Sequence, residues 1–95
     1  MTTLKVIGGK WKPAILWELY RCEVARFGEL RRRISGINHK MLTQQLRELE
    51  KDGIVRRRVY AQVPPKVEYQ LSTRGQSLHP ILYEMSVWGM ENQDE

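Results

Sequence analysis

Residues 38–53 read NHKMLTQQLRELEKDG. Leu42, Leu46 and Leu49 recur at the three- and four-residue spacing of one helix face. The opposite side carries His39, Lys40, Thr43, Gln44 and Arg47 before it turns acidic at Glu48, Glu50 and Asp52. Those five side chains have a defined hydrogen-bonding chemistry. A glutamine amide can meet adenine through two hydrogen bonds, an arginine fork can do the same with guanine, and a threonine offers a hydroxyl and a methyl group. His39 and Lys40 stand near the first turn, where phosphates are commonly met. Asn38 is a good N-cap, which occupies its oxygen with backbone N–H groups. An amphipathic helix made soluble would show the same face, so the neighbouring elements must decide.

A second set of candidates follows at once. In IVRRRVY, residues 54–60, Val55, Arg57 and Val59 alternate with Arg56, Arg58 and Tyr60, the period of a strand. AQVPP cannot continue a ladder, because Pro64 and Pro65 lack N–H donors. KVEYQL, residues 66–71, alternates again, with Val67, Tyr69 and Leu71 on one face. The result is a hairpin in which Arg56 and Arg58 share a face and Gln62 and Lys66 flank the tip. Arg57 lies on the other face and is expected to pair with a local acid. A basic hairpin can follow a phosphate backbone or enter a narrow minor groove, although charge also protects an edge strand. Further phosphate candidates are Arg32, within the Arg31–Arg33 run, and Lys10 and Lys12 at the start of the first helix. The three arginines fan over most of a helical turn, so they cannot all reach one ligand.

The elements that must position these groups can be read in order. Pro13 suits a first turn, and Trp11–Arg21 form a short apolar helix. Val24–Phe27 form a brief extended piece. Gly28–Ile34 make the second helix, with Leu30 and Ile34 inward. Ser35, Gly36 and Ile37 make a tight turn, with Gly36 at the position after the C-cap. The third helix runs from Asn38 to Asp52 and stops at Gly53. After the hairpin, Ser72 or Thr73 caps a final helix over 73–92, whose apolar stripe is Leu78, Ile81, Leu82, Met85, Val87 and Trp88. Pro80 falls inside it and should kink it or mark a false start. Two helices joined by a short glycine turn and followed by a basic hairpin spell a winged helix-turn-helix. The expected fold is α+β and mostly helical, a single domain over 1–95 with a two-stranded β-wing and a long C-terminal helix.

Charge supports a polyanionic partner. The 95-residue chain carries +5 overall, but residues 26–66 hold eleven Lys/Arg against four acids, while residues 84–95 hold four acids and no base. Other classes fit poorly. There is no glycine-rich phosphate loop, and His39 and His79, the only histidines, fall on different helices. With the single Cys22 they make no metal-ligand spacing, so neither an enzyme, a metal site nor a cofactor is expected. No apolar run approaches the ~20 residues of a membrane span, and residues 1–10 show no signal-peptide pattern. A lone cysteine fits a reducing cytoplasm. Cys22 follows an apolar helix and reads as a buried, inert thiol, the alternative being a reactive one tuned by Arg21. RNA is disfavoured by the lack of an aromatic stacking platform.

The phrases GGKWKPAILWEL (8–19), RFGELRRRISGI (26–37), LTQQLRELEKDGIVRR (42–57), VPPKVEYQLSTRGQSL (63–78) and WG (88–89) come in this order and at these spacings. Together they strongly resemble the HxlR family of bacterial transcriptional regulators, relatives of the MarR-like regulators. The resemblance covers about residues 7–90. It implies a cytoplasmic homodimer that binds double-stranded DNA at an inverted repeat, with the first and last helices pairing across the two-fold axis. Trp11, Ile15, Trp17, Leu82, Met85 and Trp88 look surplus to the core of so small a domain, and Met85 and Trp88 are the leading interface candidates. Many members carry a cysteine just ahead of the GGKW phrase, and some sense oxidants with it. Residues 1–9, MTTLKVIGG, have none, so thiol sensing there is out of reach. The operator, the sign of regulation and any small-molecule or redox effector stay open. The alternative is a winged-helix docking module with only sequence-blind affinity for DNA.

Overall fold

The structure, a computed structural model, describes residues 11–92. Helix α1 spans Trp11–Cys22, with Ile15, Leu16 and Leu19 almost wholly buried. The chain leaves it through Glu23, which takes φ +63°. That left-handed conformation is costly for a residue with a Cβ, and it turns the chain at once into strand β1, Val24–Arg26. Helix α2, Phe27–Arg33, begins one residue ahead of expectation, because Glu29 accepts a hydrogen bond from the Arg26 N–H (2.9 Å). Ile34 ends α2 in an extended conformation. Gly36, at φ +84°, therefore makes the turn itself and lies two residues beyond the C-cap.

Asn38 caps helix α3 (His39–Lys51) as its sequence position demands, its side-chain oxygen accepting from Met41 N–H at 2.8 Å. Leu42, Leu46 and Leu49 are buried and Gly53 terminates the helix at φ +74°. Strands β2 (Val55–Tyr60) and β3 (Lys66–Leu71) form the expected hairpin, with Arg57 opposite Tyr69 and Arg58 opposite Glu68. Strand β1 pairs antiparallel with the other edge of β3, Ala25 opposite Tyr69. Among the described residues the wing is thus the far end of a three-stranded sheet ordered β1-β3-β2. The architecture is α+β and mostly helical. The sequence marked β1 as extended, but its partner strand lies more than forty residues away.

The final helix expected over 73–92 is two helices. Ser72 caps a single turn, α4 (Thr73–Gln76), and the chain restarts at α5, His79–Glu91. Pro80 is the cause. It lacks an N–H and cannot sit inside a continuous helix, but it fits the first turn of a new one. The Ser72 hydroxyl accepts from Gly75 N–H (3.0 Å) and donates to the Gly53 carbonyl (2.6 Å). The Ser72 N–H donates to the Ile54 carbonyl (2.9 Å), and the Tyr20 hydroxyl to the Gly75 carbonyl (2.6 Å). Burial pushes the Tyr20 phenol up to about 12. These bonds lock the base of the hairpin to the end of α3 and to α1. They also bring α4 so close that a methyl group on Gly75 would overlap the Ile54 carbonyl. Gly75→Ala is therefore expected to lower stability by ~1–3 kcal/mol, the usual cost of overpacking, seen as a shift of the urea midpoint with little change in slope.

Candidate nucleic-acid interface

Three leucines turned inward leave a defined outer face on α3. His39, Lys40, Gln44 and Arg47 are exposed there and Thr43 is half-buried. The Thr43 hydroxyl donates back to the His39 carbonyl (2.8 Å), which leaves its methyl group and an acceptor lone pair to be presented. The His39 ring rests against Phe27 of α2, 4.7 Å between centroids, and this contact steadies the first turn. The Gln44 amide donates to Glu48 Oε2 (3.3 Å), while Glu48 Oε1 receives Lys12 Nζ at 2.7 Å. Those two bonds, Lys12 first, hold the Glu48 carboxyl below its usual range.

Lys12 must be corrected. It was expected to meet phosphate at the start of α1, but it is only 9% exposed and its ammonium bridges α1 to α3 through Glu48. The pairing spans 36 positions, and nothing local in the sequence announces it. Lys10 lies outside the described residues.

A cleft of about 500 Å³ separates α3 from the sheet, lined by Thr43, Arg47, Lys51, Arg57 and Tyr69 with Glu50 between. Arg57 Nε meets Glu50 Oε2 at 3.4 Å, the local acid pairing expected of it. Burial raises the Tyr69 phenol, Arg57 and Arg47 draw it down and Glu50 raises it again, so these charges crowd one edge of the ring. Arg56 and Arg58 stand on the opposite side of the strand, turned away from α3. The Arg58 guanidinium and the Lys66 ammonium both lie over Tyr60, at 5.1 and 4.9 Å from its centroid, and Lys66 also meets Glu68 (3.3 Å). Gln62 is exposed at the tip. The expected basic wing is therefore divided. Arg56, Arg58 and Lys66 share an outer face, whereas Arg57, Lys51 and Tyr69, not among the sequence candidates, face the same cleft as Arg47. Strand parity contained the signal: Val55 and Leu71 point into the core, so Arg57 and Tyr69 must point the same way.

In α2, Arg31, Arg32 and Arg33 fan outward and remain exposed. Arg33 is engaged: one guanidinium nitrogen donates to Cys22 Sγ (2.7 Å) and lies 4.0 Å from Glu18. Cys22 is half-buried, and its cationic neighbour is Arg33 instead of the expected Arg21, which sits 3.9 Å from Glu18. Arg32 remains on the surface.

Of the six interface candidates, Ile15 (0% exposed) and Leu82 (2%) are corrected to core, since a partner cannot touch side chains sealed within the chain. Trp11 and Trp17 are half-buried at the edge of α1, and Trp17 packs edge-on against Tyr20 and His79. Met85 (49%) and Trp88 (68%) are exposed on α5, on the same face as Ile81. Among the described residues no helix is long and apolar enough to cross a membrane, and no group of side chains could hold a metal ion.

Helix, tight turn, helix and a basic hairpin completed by a third strand define the winged helix-turn-helix class, which sets one helix free to enter a groove of duplex DNA. The comparisons narrow the class. A sequence model described as HxlR-like helix-turn-helix matches residues 6–95. The HTH-type transcriptional regulator YtcD of Bacillus subtilis is 58% identical over 87 residues, which is 92% of this chain and 68% of that protein. The structure of the redox regulator HypR in its reduced form is similar at TM-score 0.91 and 53% identity, covering 97% of this chain and 90% of that one. A protein of the MarR family from Porphyromonas gingivalis W83 gives TM-score 0.86 at 38% identity, over 95% of this chain and 87% of the other. The chain belongs to the HxlR-like helix-turn-helix family of DNA-binding transcriptional regulators, which is not a family of enzymes.

The Lys12–Glu48 bridge has a pH signature. The folded state depresses the Glu48 carboxyl, so its contribution is complete above the unfolded value of ~4.3 and is lost as pH falls through the folded one. Lys12→Met is expected to cost roughly 1 kcal/mol at neutral pH, discounted for the partly exposed carboxylate. Urea titrations should show the gap from the natural chain closing below about pH 4.

Proposed function

We propose that this chain is a sequence-specific regulator that binds double-stranded DNA as a homodimer on an inverted-repeat operator, working in the cytoplasm. The observation that carries this reading is the outer face of α3, where Gln44 and Arg47 stand exposed beside a cleft lined by Lys51 and Arg57. A major groove about 12 Å wide admits one helix. With α3 in the groove, Gln44, Arg47 and the Thr43 methyl group reach base edges, while His39 and Lys40 meet phosphate at the first turn. The strand of sugar and phosphate that separates the major groove from the next minor groove then runs through the cleft, against Lys51 and Arg57. The wing tip, with Gln62, Lys66, Arg58 and Arg56, follows the backbone beyond, and Arg32 of α2 meets it on the other side.

Reading an inverted repeat takes two copies whose recognition helices are ~34–36 Å apart. The exposed apolar side chains Ile81, Met85 and Trp88, which share one face of α5, supply a surface for pairing two copies, and Trp11 and Trp17 of α1 add to it.

Selection of bound duplexes from a random-sequence pool at about 150 mM salt tests this directly, since salt suppresses non-specific phosphate binding. A two-fold repeat should emerge, preferred over random duplex by ~10³-fold or more. Absence of any enriched sequence from a folded protein would favour the docking-module reading instead. On the selected site, Arg47→Ala should cost ~1–3 kcal/mol and relax preference at one base pair, whereas Arg57→Ala should weaken all sequences alike and reduce the salt slope by about one.

Pairing is tested separately by sedimentation. Trp88→Glu places a charge in the centre of the apolar face of α5 and should shift the chain toward monomer while leaving its melting temperature at low concentration little changed. A monomeric natural chain at micromolar concentration would sink the dimer.

A further inference from the structure

Gln44 does not hang free from α3. Its Nε2 donates to Glu48 Oε2 at 3.3 Å, and Glu48 is itself held through its other oxygen by Lys12, at 2.7 Å, whose side chain is only 11% exposed. An ionised carboxylate accepts hydrogen bonds and cannot donate them. Gln44 must therefore turn its NH₂ group toward Glu48 and its carbonyl away from it. A solvated glutamine would present either end. Here one N–H is taken, and what faces outward is a carbonyl acceptor beside the single remaining N–H. Adenine shows a donor (N6) next to an acceptor (N7) in the major groove, which complements that pattern. Guanine shows two acceptors, O6 and N7, and would oppose the carbonyl. We infer that Glu48, anchored by Lys12, is a positioning residue that sets the amide of Gln44 to select adenine and reject guanine. Glu48 stays ionised at neutral pH, so it remains an acceptor for the Gln44 amide. Lys12 also neutralises a carboxylate that would otherwise repel phosphate.

The plainer account is that Lys12–Glu48 is only a strut between α1 and α3, and Gln44–Glu48 an ordinary four-residue helix pair of little consequence. The two accounts differ in one replacement. In Glu48→Gln, Lys12 still requires an oxygen, so the new amide turns its NH₂ toward Gln44. Gln44 must then reverse, offering its carbonyl inward and its NH₂ outward, the two-donor pattern that suits guanine.

The inference rests on the reading of α3 as the helix in the groove, and the experiment keeps the two apart. Duplexes are first selected from a random pool with the full chain. Gln44→Ala then identifies the base pair that Gln44 reads, as the one position where preference disappears. At that base pair, adenine-over-guanine discrimination is compared for the natural chain, Glu48→Gln and the double replacement Lys12→Met with Glu48→Met, which keeps volume and removes both charges. The natural chain should prefer adenine by on the order of tenfold or more. Glu48→Gln should abolish or invert that preference while the other base pairs keep theirs. The double replacement should relax it without gaining guanine, which also guards against a Glu48→Gln chain that fails to fold. Equal weakening of every sequence by both variants, with adenine preference retained, would leave only the strut and overturn the inference. Should Gln44→Ala leave every preference unchanged, Gln44 reads no base and the inference falls; the groove reading itself fails only if Arg47→Ala is silent as well.

Discussion

Leu42, Leu46 and Leu49 fix the rotation of α3 about its own axis, and the remaining geometry of the surface follows from that. Each buried leucine contributes ~1.5–3 kcal/mol relative to exposure, so turning the helix by one residue, about 100°, would expose the stripe and bury charge. The same constraint points Gln44 and Arg47 outward, and the Gln44 amide is then steadied by its hydrogen bond to Glu48. Translation along the axis is fixed differently. Asn38 closes the N-terminus, Gly53 ends the helix, and the Lys12 ammonium grips Glu48 from the side. A nonspecific apolar stripe sets the angle and a few directional bonds set the height.

The hairpin is placed by a second, smaller set of directional bonds. Ser72 ties the last residues of β3 to the loop after α3, and Tyr20 ties α4 to α1. Because Val55 and Leu71 must enter the core, the alternation of a strand carries Arg57 and Tyr69 to the side of α3 and sends Arg56 and Arg58 to the other. The cleft between helix and sheet is thus a consequence of core packing at the root of the wing. The charges in it need no dedicated scaffold of their own.

Much of this was legible in the residues because it depends on local rules. Asn38, Gly53 and Pro13 announce helix ends through backbone chemistry, the leucine spacing gives α3 its inner face, and Pro64 and Pro65 break the strands. What escaped depends on distant partners. The strand at Val24–Arg26 could be seen as extended, but not its place beside β3. Lys12 reads as a phosphate contact from its position on α1, and only the fold brings Glu48 to it. Helix α1 is apolar nearly all round, with Ala14, Ile15, Leu16, Trp17, Leu19 and Tyr20 in about two turns. It has no stripe to say which side faces the core, so spacing alone does not separate Ile15 from Trp17. Pro80 reads as a kink or a false start, and the second holds, with the proline in the first turn of a new helix.

Helix α5 shows the opposite balance. It gives the core one fully buried residue, Leu82, and leaves Ile81, Met85 and Trp88 exposed along one face. A small domain has little apolar surface to spare, since its core is thin to begin with. Scattered exposed apolar residues are ordinary, but several on one face of a helix mark a surface that is completed by something else. In the proposed dimer that completion is a second α5. The basic outer face of α3 and the apolar outer face of α5 then divide the labour of one short chain, the first meeting a polyanion and the second fixing how far apart two such helices stand.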